Sequence, residues 1–234
     1  MNIALILAGG HGSRMGQDIP KQFIHVNNRP IIIYTLVAFQ KHPQIDKIQV
    51  VCVPGWETFL REYAQQFNIT KLADIVPGGG TRFASTKCGM ESLGAVQDDD
   101  VIIVHDAVRP LVTAESIADT IGVCRKEGNA MSVLDSVDTM YLRSDATGTT
   151  ENADRGRVVR GQTPEAVSGA KMRAMYAAAD KQGLQIDSIS ALQVALGGHV
   201  AFARGSERNL KLTRVEDIEL FKAVLQVEKD EWLK

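Results

Sequence analysis

Short apolar runs alternate along this chain with stretches in which apolar residues recur every three or four positions. Ile3–Leu7, Ile48–Val53, Val101–His105 and Ala130–Leu134 are almost continuously apolar. Runs of this kind predict strands buried on both faces, as in a parallel sheet. Between them the helical period predicts four helices. One runs from Pro30 to about Gln40, with Pro in its first turn. A second covers Trp56–Phe67, with Trp56, Phe59, Leu60 and Tyr63 on one face, and a third covers Thr81–Leu93. The fourth covers Thr113–Lys126, with Thr113 as N-cap and Glu127-Gly128 as its stop. Repeated β–α alternation predicts an α/β protein with a mostly parallel sheet and helices on both sides.

The pattern breaks near Asp138. Thr139–Arg143 and Val158–Gly161 read as two β segments flanking Ser144–Asp154, which is rich in Thr, Asp and Gly. This stretch reads as a projecting hairpin or arm, the alternative being a disordered linker. Helices resume at about Gly169–Gln182 and Ser188–Leu196, a strand follows at Val200–Ala203, and Val215–Glu228 closes the pattern as an amphipathic helix. With no internal repeat, residues 1–234 read as one domain carrying an arm at about 138–161.

Composition removes several function classes. The chain has 234 residues, 44% hydrophobic and 23% charged, which suits a globular protein and is too apolar for disorder. Its 26 basic and 28 acidic residues leave a formal charge of −2. A general nucleic-acid binder is normally basic, so an anionic ligand here needs a local cluster of cations. Cys52, Cys88 and Cys124 show no CxxC spacing, which disfavours a disulfide framework or a zinc site. No basic segment leads into a long apolar one at the start, and no apolar run approaches a membrane span. The expectation is a cytoplasmic protein that does not engage a membrane.

The candidate chemistry begins after the first predicted strand, at Leu7-Ala8-Gly9-Gly10-His11-Gly12-Ser13-Arg14-Met15-Gly16. A glycine loop there sits at the carboxyl edge of an α/β sheet, where ligands bind, and glycines let backbone N–H groups approach phosphate. The spacing is not GxGxxG, because position 15 is Met. It is not GxxxxGK[ST] either, because Gln17 follows Gly16. Both a Rossmann dehydrogenase and a P-loop ATPase are disfavoured. The loop instead carries Arg14, and Pro20-Lys21-Gln22 follows, so two cations bracket it; the plainer alternative is a tight turn with two solvated cations.

Together, Leu7–Gly16 and Pro20-Lys21-Gln22-Phe23 resemble the opening of the 2-C-methyl-D-erythritol 4-phosphate and ribitol-5-phosphate cytidylyltransferases. Five further motifs follow in order. His105-Asp106-Ala107-Val108-Arg109-Pro110 matches the family's HDA-x-RP; the resemblance implies that Asp106 ligands Mg²⁺ and contacts substrate with Arg109, while His105 reads as structural. Read alone, Asp106 is equally a turn-capping residue beside a Pro. Gly78-Gly79-Gly80-Thr81-Arg82-Phe83-Ala84-Ser85 matches the segment whose backbone and Ser select cytosine, implying nucleotide contacts from Gly79, Gly80, Arg82 and Ser85 beside Ala8, Gly9, Gly10 and Gly12. Gly80 stands where the family usually has an acidic residue, which bears on base choice if a side chain makes that contact. The plain reading of this segment is a loop and a helix N-cap.

Arg155, with Gly161-Gln162-Thr163-Pro164-Glu165, matches the next motif, Glu165 replacing the usual Gln. The resemblance implies that Arg155, Thr163 and Thr139 contact the polyol phosphate; without it, Arg155 is a surface residue near Arg157 and Arg160. Asp187, before Ser188-Ile189-Ser190-Ala191-Leu192, matches an acidic position of the methylerythritol-type run T-D-E-A-S-A-L. It is implied as substrate contact and second metal ligand, the alternative being a helix N-cap. Last, Gly205-Ser206-x-x-Asn209-Leu210-Lys211-Leu212-Thr213 matches the closing motif, in which Lys211 supplies a cation to the phosphates. On spacing alone it is a surface lysine.

The resemblance implies a three-layer α/β/α Rossmann-like nucleotidyltransferase fold with a mostly parallel mixed sheet and a projecting β-arm exchanged in a homodimer. It implies Mg²⁺-assisted transfer of CMP from CTP to a polyol phosphate, with Arg14, Lys21 and Lys211 as the catalytic cations. A sugar-1-phosphate nucleotidyltransferase using another base is the alternative within the same fold. A non-catalytic nucleotide-binding subunit should lack one or more of these groups, and this chain keeps them. The acceptor stays open: Leu7–Gly10 and Arg160–Pro164 lean to the ribitol type, Asp187–Leu192 and Gly205–Thr213 to the methylerythritol type.

Overall fold

The computed structural model describes residues 1–10 and 19–229. The first strand, β1 (Asn2–Ala8), is buried along its whole length. A short 3-10 turn at Lys21–Phe23 and a two-residue hairpin, β2 (His25–Val26) with β3 (Arg29–Pro30), lead into α1 (Ile31–Lys41). Then come β4 (Lys47–Cys52), α2 (Glu57–Gln66), β5 (Leu72–Pro77), α3 (Arg82–Glu91), β6 (Val101–Asp106), α4 (Ala114–Glu127) and β7 (Asn129–Asp135). The second half holds β8 (Met140–Leu142), β9 (Glu151–Ala153), β10 (Val159–Ser168), α5 (Gly169–Gln182), α6 (Ile189–Ala195), β11 (Phe202–Arg204) and α7 (Val215–Lys229).

Seven strands form one sheet in the order β11-β7-β10-β6-β1-β4-β5. Pairing is parallel except along β10, which runs against both β6 and β7. Alternation along β1 assigns its two faces. Ala4, Ile6 and Ala8 pack with Ile32 and Leu36 of α1, Leu60 of α2 and Ile117 of α4. Ile3, Leu5 and Leu7 pack with Phe83 of α3, Met172 and Tyr176 of α5 and Leu192 of α6. A third cluster seats α7, through Ile218 and Phe221, on Val26, Ile31, Val108 and Leu212. The expected three-layer, mostly parallel mixed sheet is what forms, and no described helix is long and apolar enough to cross a membrane.

Helix ends follow the sequence cues closely. Thr81 and Thr113 each accept a backbone N–H at the start of α3 and α4, and Gly128 ends α4 with φ 77°; at α6 the cap is Ser188, one residue past Asp187. Pro30 lies one residue outside α1, as its cap. On α2 the expected apolar face is narrower than read: Leu60 is buried, but Phe59 is 53% exposed.

The arm needs a correction. Its ascending strand is β8, as expected, but its return strand is β9, inside the polar stretch, pairing Met140 with Ala153 and Leu142 with Glu151. Val158–Gly161 is not part of the hairpin; it opens β10 of the main sheet, where Val159 pairs with Asp135. The motif Gln162-Thr163-Pro164-Glu165 hid this strand, because a Pro in a strand interior lacks a ladder donor. The pairing with β7 shifts register between Gln162 and Glu165, a bulge that accommodates the Pro.

Candidate active site

Three parallel strands, β1, β5 and β6, deliver their carboxyl ends to one edge of the sheet, and the loops that follow build a cavity there of about 420 Å³. After β1 come Gly9 and Gly10; after β5, Gly79 and Gly80; at the end of β6, Asp106. Because β10 runs the opposite way, it brings its early residue Thr163 to the same edge, where the Asp106 backbone N–H donates to the Thr163 hydroxyl at 3.2 Å. Lys21, Arg82, Ser85 and Lys211 complete the wall.

Each cation is placed by buried neighbours. Lys21 lies between a cap residue, Pro20, and Gln22-Phe23, both buried. Gln22 Nε2 donates to the Ala8 carbonyl at 2.6 Å, and Phe23 stacks on Trp56 with centroids 4.6 Å apart. Lys211 is held on both sides. Two residues earlier, fully buried Asn209 donates to the Thr163 carbonyl at 2.7 Å. One residue later, the Leu212 amide donates to the Val108 carbonyl at 2.9 Å.

Asp106 is the electrostatic centre. Lys211 Nζ lies 2.9 Å from Oδ2, Arg82 Nη2 3.1 Å from Oδ1, and Arg109 Nε 3.6 Å from Oδ2. Burial alone would raise its pKa, but Arg82, Lys211 and Arg109 outweigh it and hold the carboxyl far below the usual carboxylate range. Arg109 Nη1 also donates to the Asn209 carbonyl at 2.7 Å, which ties the 205–213 segment to β6. His105 points away from this chemistry. It is fully buried, its Nε2 pairs with the Arg109 carbonyl at 3.2 Å, and burial lowers its pKa to about 4.

The two glycine loops touch each other through Ser85. The Gly79 amide donates to Ser85 Oγ at 3.1 Å, and a Cβ at Gly9 would stand 3.2 Å from that oxygen. Gly79 has no room for a side chain, since a Cβ would meet Ala84 Cβ at 2.6 Å, whereas nothing lies within 4 Å of one at Gly80.

The cavity thus brings together Ala8, Gly9, Gly10, Lys21, Gly79, Gly80, Arg82, Ser85, Asp106 and Lys211 of the residues expected from sequence, with Arg109 and Thr163 behind Asp106. Gly12 and Arg14 lie outside the described residues. Thr139 and Arg155 sit exposed at the base of the arm, where Arg155 Nη1 donates to the Val137 carbonyl at 3.1 Å, and neither lines the cavity. Asp187 is exposed, and its Oδ1 accepts the Phe83 amide at 3.3 Å, at the start of α3; the cap of α6 is Ser188, not Asp187. Among the described residues, Arg82 links Asp187 to Asp106, donating to the Asp187 carbonyl and to the Asp106 carboxylate.

Among the described residues no three His, Cys, Asp or Glu side chains gather as a metal site. Mg²⁺ is commonly held by one or two carboxylates with substrate phosphates and water completing the shell. Asp106, a single ionised carboxylate on the cavity wall, fits that mode, provided that Lys211 turns from Oδ2 to a phosphate. Two contributors escaped the sequence reading. Asn209 was a motif letter without a role, and Glu165 a substitution without one; only the fold shows what each touches.

The family model described as "IspD: 2-C-methyl-D-erythritol 4-phosphate cytidylyltransferase" matches residues 2–227. The chain belongs to the IspD family. Its relatives include a ribitol-5-phosphate cytidylyltransferase of Lacticaseibacillus paracasei, 37% identical across 97% of this chain and 98% of that one. Another, of Streptococcus agalactiae, bears the same description and is 33% identical across 99% and 98%. Among solved structures, the 4-diphosphocytidyl-2C-methyl-D-erythritol synthase of Anaerococcus prevotii superposes with a TM-score of 0.82 at 26% identity, covering 96% of this chain and 98% of the other. The 2-C-methyl-D-erythritol 4-phosphate cytidylyltransferase of Thermus thermophilus gives 0.76 at 25% identity over 97% and 100%. This IspD-family chain is therefore a cytidylyltransferase, and its cavity lies where the fold presents strand ends to ligands.

Proposed function

We propose that this enzyme transfers the CMP unit of CTP to the phosphate of D-ribitol 5-phosphate, forming CDP-ribitol and releasing pyrophosphate. The observation that carries the chemistry is the convergence of Lys21 and Lys211 on one cavity floored by the Gly9-Gly10 and Gly79-Gly80 backbones. The ribitol acceptor draws support from the description shared by the relatives at 33–37% identity. Methylerythritol 4-phosphate is the second reading, favoured by the family model and the solved structures.

The acceptor phosphate is already anionic near neutral pH, so the attack on the α-phosphorus needs no general base. The obstacle is one anion approaching another. Positioning and fixed cations must carry the catalysis. Lys21 and Lys211 face the triphosphate and stabilise the charge that gathers on the α-phosphate and the leaving pyrophosphate; the same role is assigned to Arg14 from the family motif alone. Gly9, Gly10, Gly79 and Ser85 seat the nucleotide, and Arg82 and Arg109 keep Asp106 ionised and in place. Mg²⁺ held by Asp106 and phosphate oxygens would neutralise part of the triphosphate charge. Asp187, outside the cavity wall, is assigned to the acceptor side rather than to the metal.

The arm carries Val137, Tyr141 and Leu142, which are 73%, 63% and 50% exposed. This apolar surface supports a homodimer paired through the arms, in which Thr139 and Arg155 reach the acceptor phosphate in the partner's cavity. CTP is an intracellular metabolite, so the reading places the enzyme in the cytoplasm.

The deciding experiment measures pyrophosphate release with Mg²⁺, each of the four nucleoside triphosphates and each polyol phosphate. CTP with ribitol 5-phosphate is expected to exceed every other pair by about tenfold or more in kcat/KM. A preference for methylerythritol 4-phosphate selects the second reading, and a preference for another base overturns both.

A further inference from the structure

Glu165 lies on β10, 5% exposed, and takes no part in the mechanism above. Its carboxylate accepts from Ser188 Oγ at 2.7 Å and from the Ile189 amide at 3.1 Å. Ser188 Oγ in turn accepts the Ala191 amide at 3.2 Å as the cap of α6. The other side of the same turn is held from α3: the Phe83 amide donates to Asp187 Oδ1, and Arg82 donates to the Asp187 carbonyl. The second arm of the Arg82 guanidinium holds Asp106. A continuous path therefore runs from Glu165 through Ser188, Asp187 and Arg82 to the carboxylate at the centre of the site.

Charge points the same way as geometry. Asp106 faces three cations, Lys211, Arg82 and Arg109. Glu165 is a second buried carboxylate on the same side of the sheet edge; burial pushes its pKa up, and the Arg82 guanidinium and the Ser188 hydroxyl act against that. Among the described residues, the Glu165 side chain hydrogen-bonds to the 188–189 turn and not to Gly9, Gly10, Gly79 or Gly80.

We propose that Glu165 is a positioning residue for the acceptor half of the site: its carboxylate fixes the 187–189 turn, and that turn holds Arg82 through the Asp187 carbonyl while the other arm of Arg82 holds Asp106. The inference rests on the cytidylyltransferase reading and adds a rule to it. One negative charge is required across the 165–188 contact, and either side of that contact can carry it.

Three variants test the rule, assayed with whichever polyol phosphate the wild-type chain turns over. In E165Q the charge is gone, and KM for the acceptor is expected to rise about tenfold, with KM for CTP unchanged within about twofold. In S188D the cap survives but two carboxylates face each other, and the acceptor KM rises at least as far. In E165Q/S188D the amide at 165 can donate to the carboxylate at 188, which restores one charged hydrogen bond across the contact, and the acceptor KM returns to within about threefold of wild type. Additive effects in the double variant overturn the proposal. So does a loss of melting temperature in E165Q with no change in acceptor KM, which would make Glu165 merely structural. A wild-type chain that ignores ribitol 5-phosphate but uses methylerythritol 4-phosphate overturns the acceptor assignment alone, and the cycle then runs on that substrate.

Discussion

Lys21 and Lys211 reach the same cavity from opposite ends of the chain, each on a short segment whose neighbours are buried. Their side chains are not buried themselves, so truncation should spare the fold. Lys21→Ala and Lys211→Ala are each expected to lower kcat by about 10²–10³, the effect of one preorganised charge donor, with little change in melting temperature. Near-normal turnover in either variant would remove that residue from the mechanism. His105, next to Asp106 in sequence, has a different fate. Burial lowers its pKa from 6.5 to about 4. As pH falls through this interval the unfolded chain takes up the proton and the folded one does not, so stability falls with it. His105→Gln should flatten the dependence of stability on pH between about 6.5 and 4, measured by urea melts in a pH series; parallel curves for wild type and variant would contradict the assignment. Sequence alone marked Lys21 as a cation bracketing the glycine loop, and Lys211 only through motif resemblance. A lysine's spacing carries no record of what faces it, and the pairing of Lys211 with Asp106 spans more than a hundred residues.

The loop between β5 and α3 is where one glycine is indispensable and its neighbour is not. Gly79 lies against Ala84 with no room for a Cβ, and its amide is tied to Ser85. Gly79→Ala must displace the loop from the start of α3, and KM for CTP is expected to rise about tenfold or more. Gly80→Ala enters open space and should change it by no more than about twofold. Equal effects at the two positions, in steady-state kinetics with CTP varied, would show that the loop does not seat the nucleotide. The open space at Gly80 also means that the backbone needs no adjustment to do without the acidic side chain found there in the family motif. β10 shows how such a segment can mislead. Its Gln162-Thr163-Pro164 lies just past the β segment read at Val158–Gly161, and the strand continues through it, because a bulge takes up the residue that cannot pair.

In the assembled molecule the arm is the part least bound to the rest. β8 and β9 pair with each other and not with the main sheet, and Tyr141 and Leu142 are exposed on β8. Deleting residues 140–153 with a short Gly linker should therefore leave the core sheet folded, as circular dichroism would report. It should also convert a dimer to a monomer in light scattering and abolish acceptor turnover. A deletion variant that remains dimeric would locate the interface elsewhere. The order of strands and helices, the caps at Thr81 and Thr113, and the loops at the strand ends were legible in the linear pattern, because burial on both faces, N-capping and turn geometry are local properties of a few neighbouring residues; the cap of α6 was missed by one residue, Ser188 standing where Asp187 was read. The reversed direction of β10, the meeting of Asp106 with Arg82, Arg109 and Lys211, and the grip of Glu165 on Ser188 were not legible. They depend on which distant segments the sheet brings side by side, and neither a hydrophobic period nor a motif records the partner across that distance.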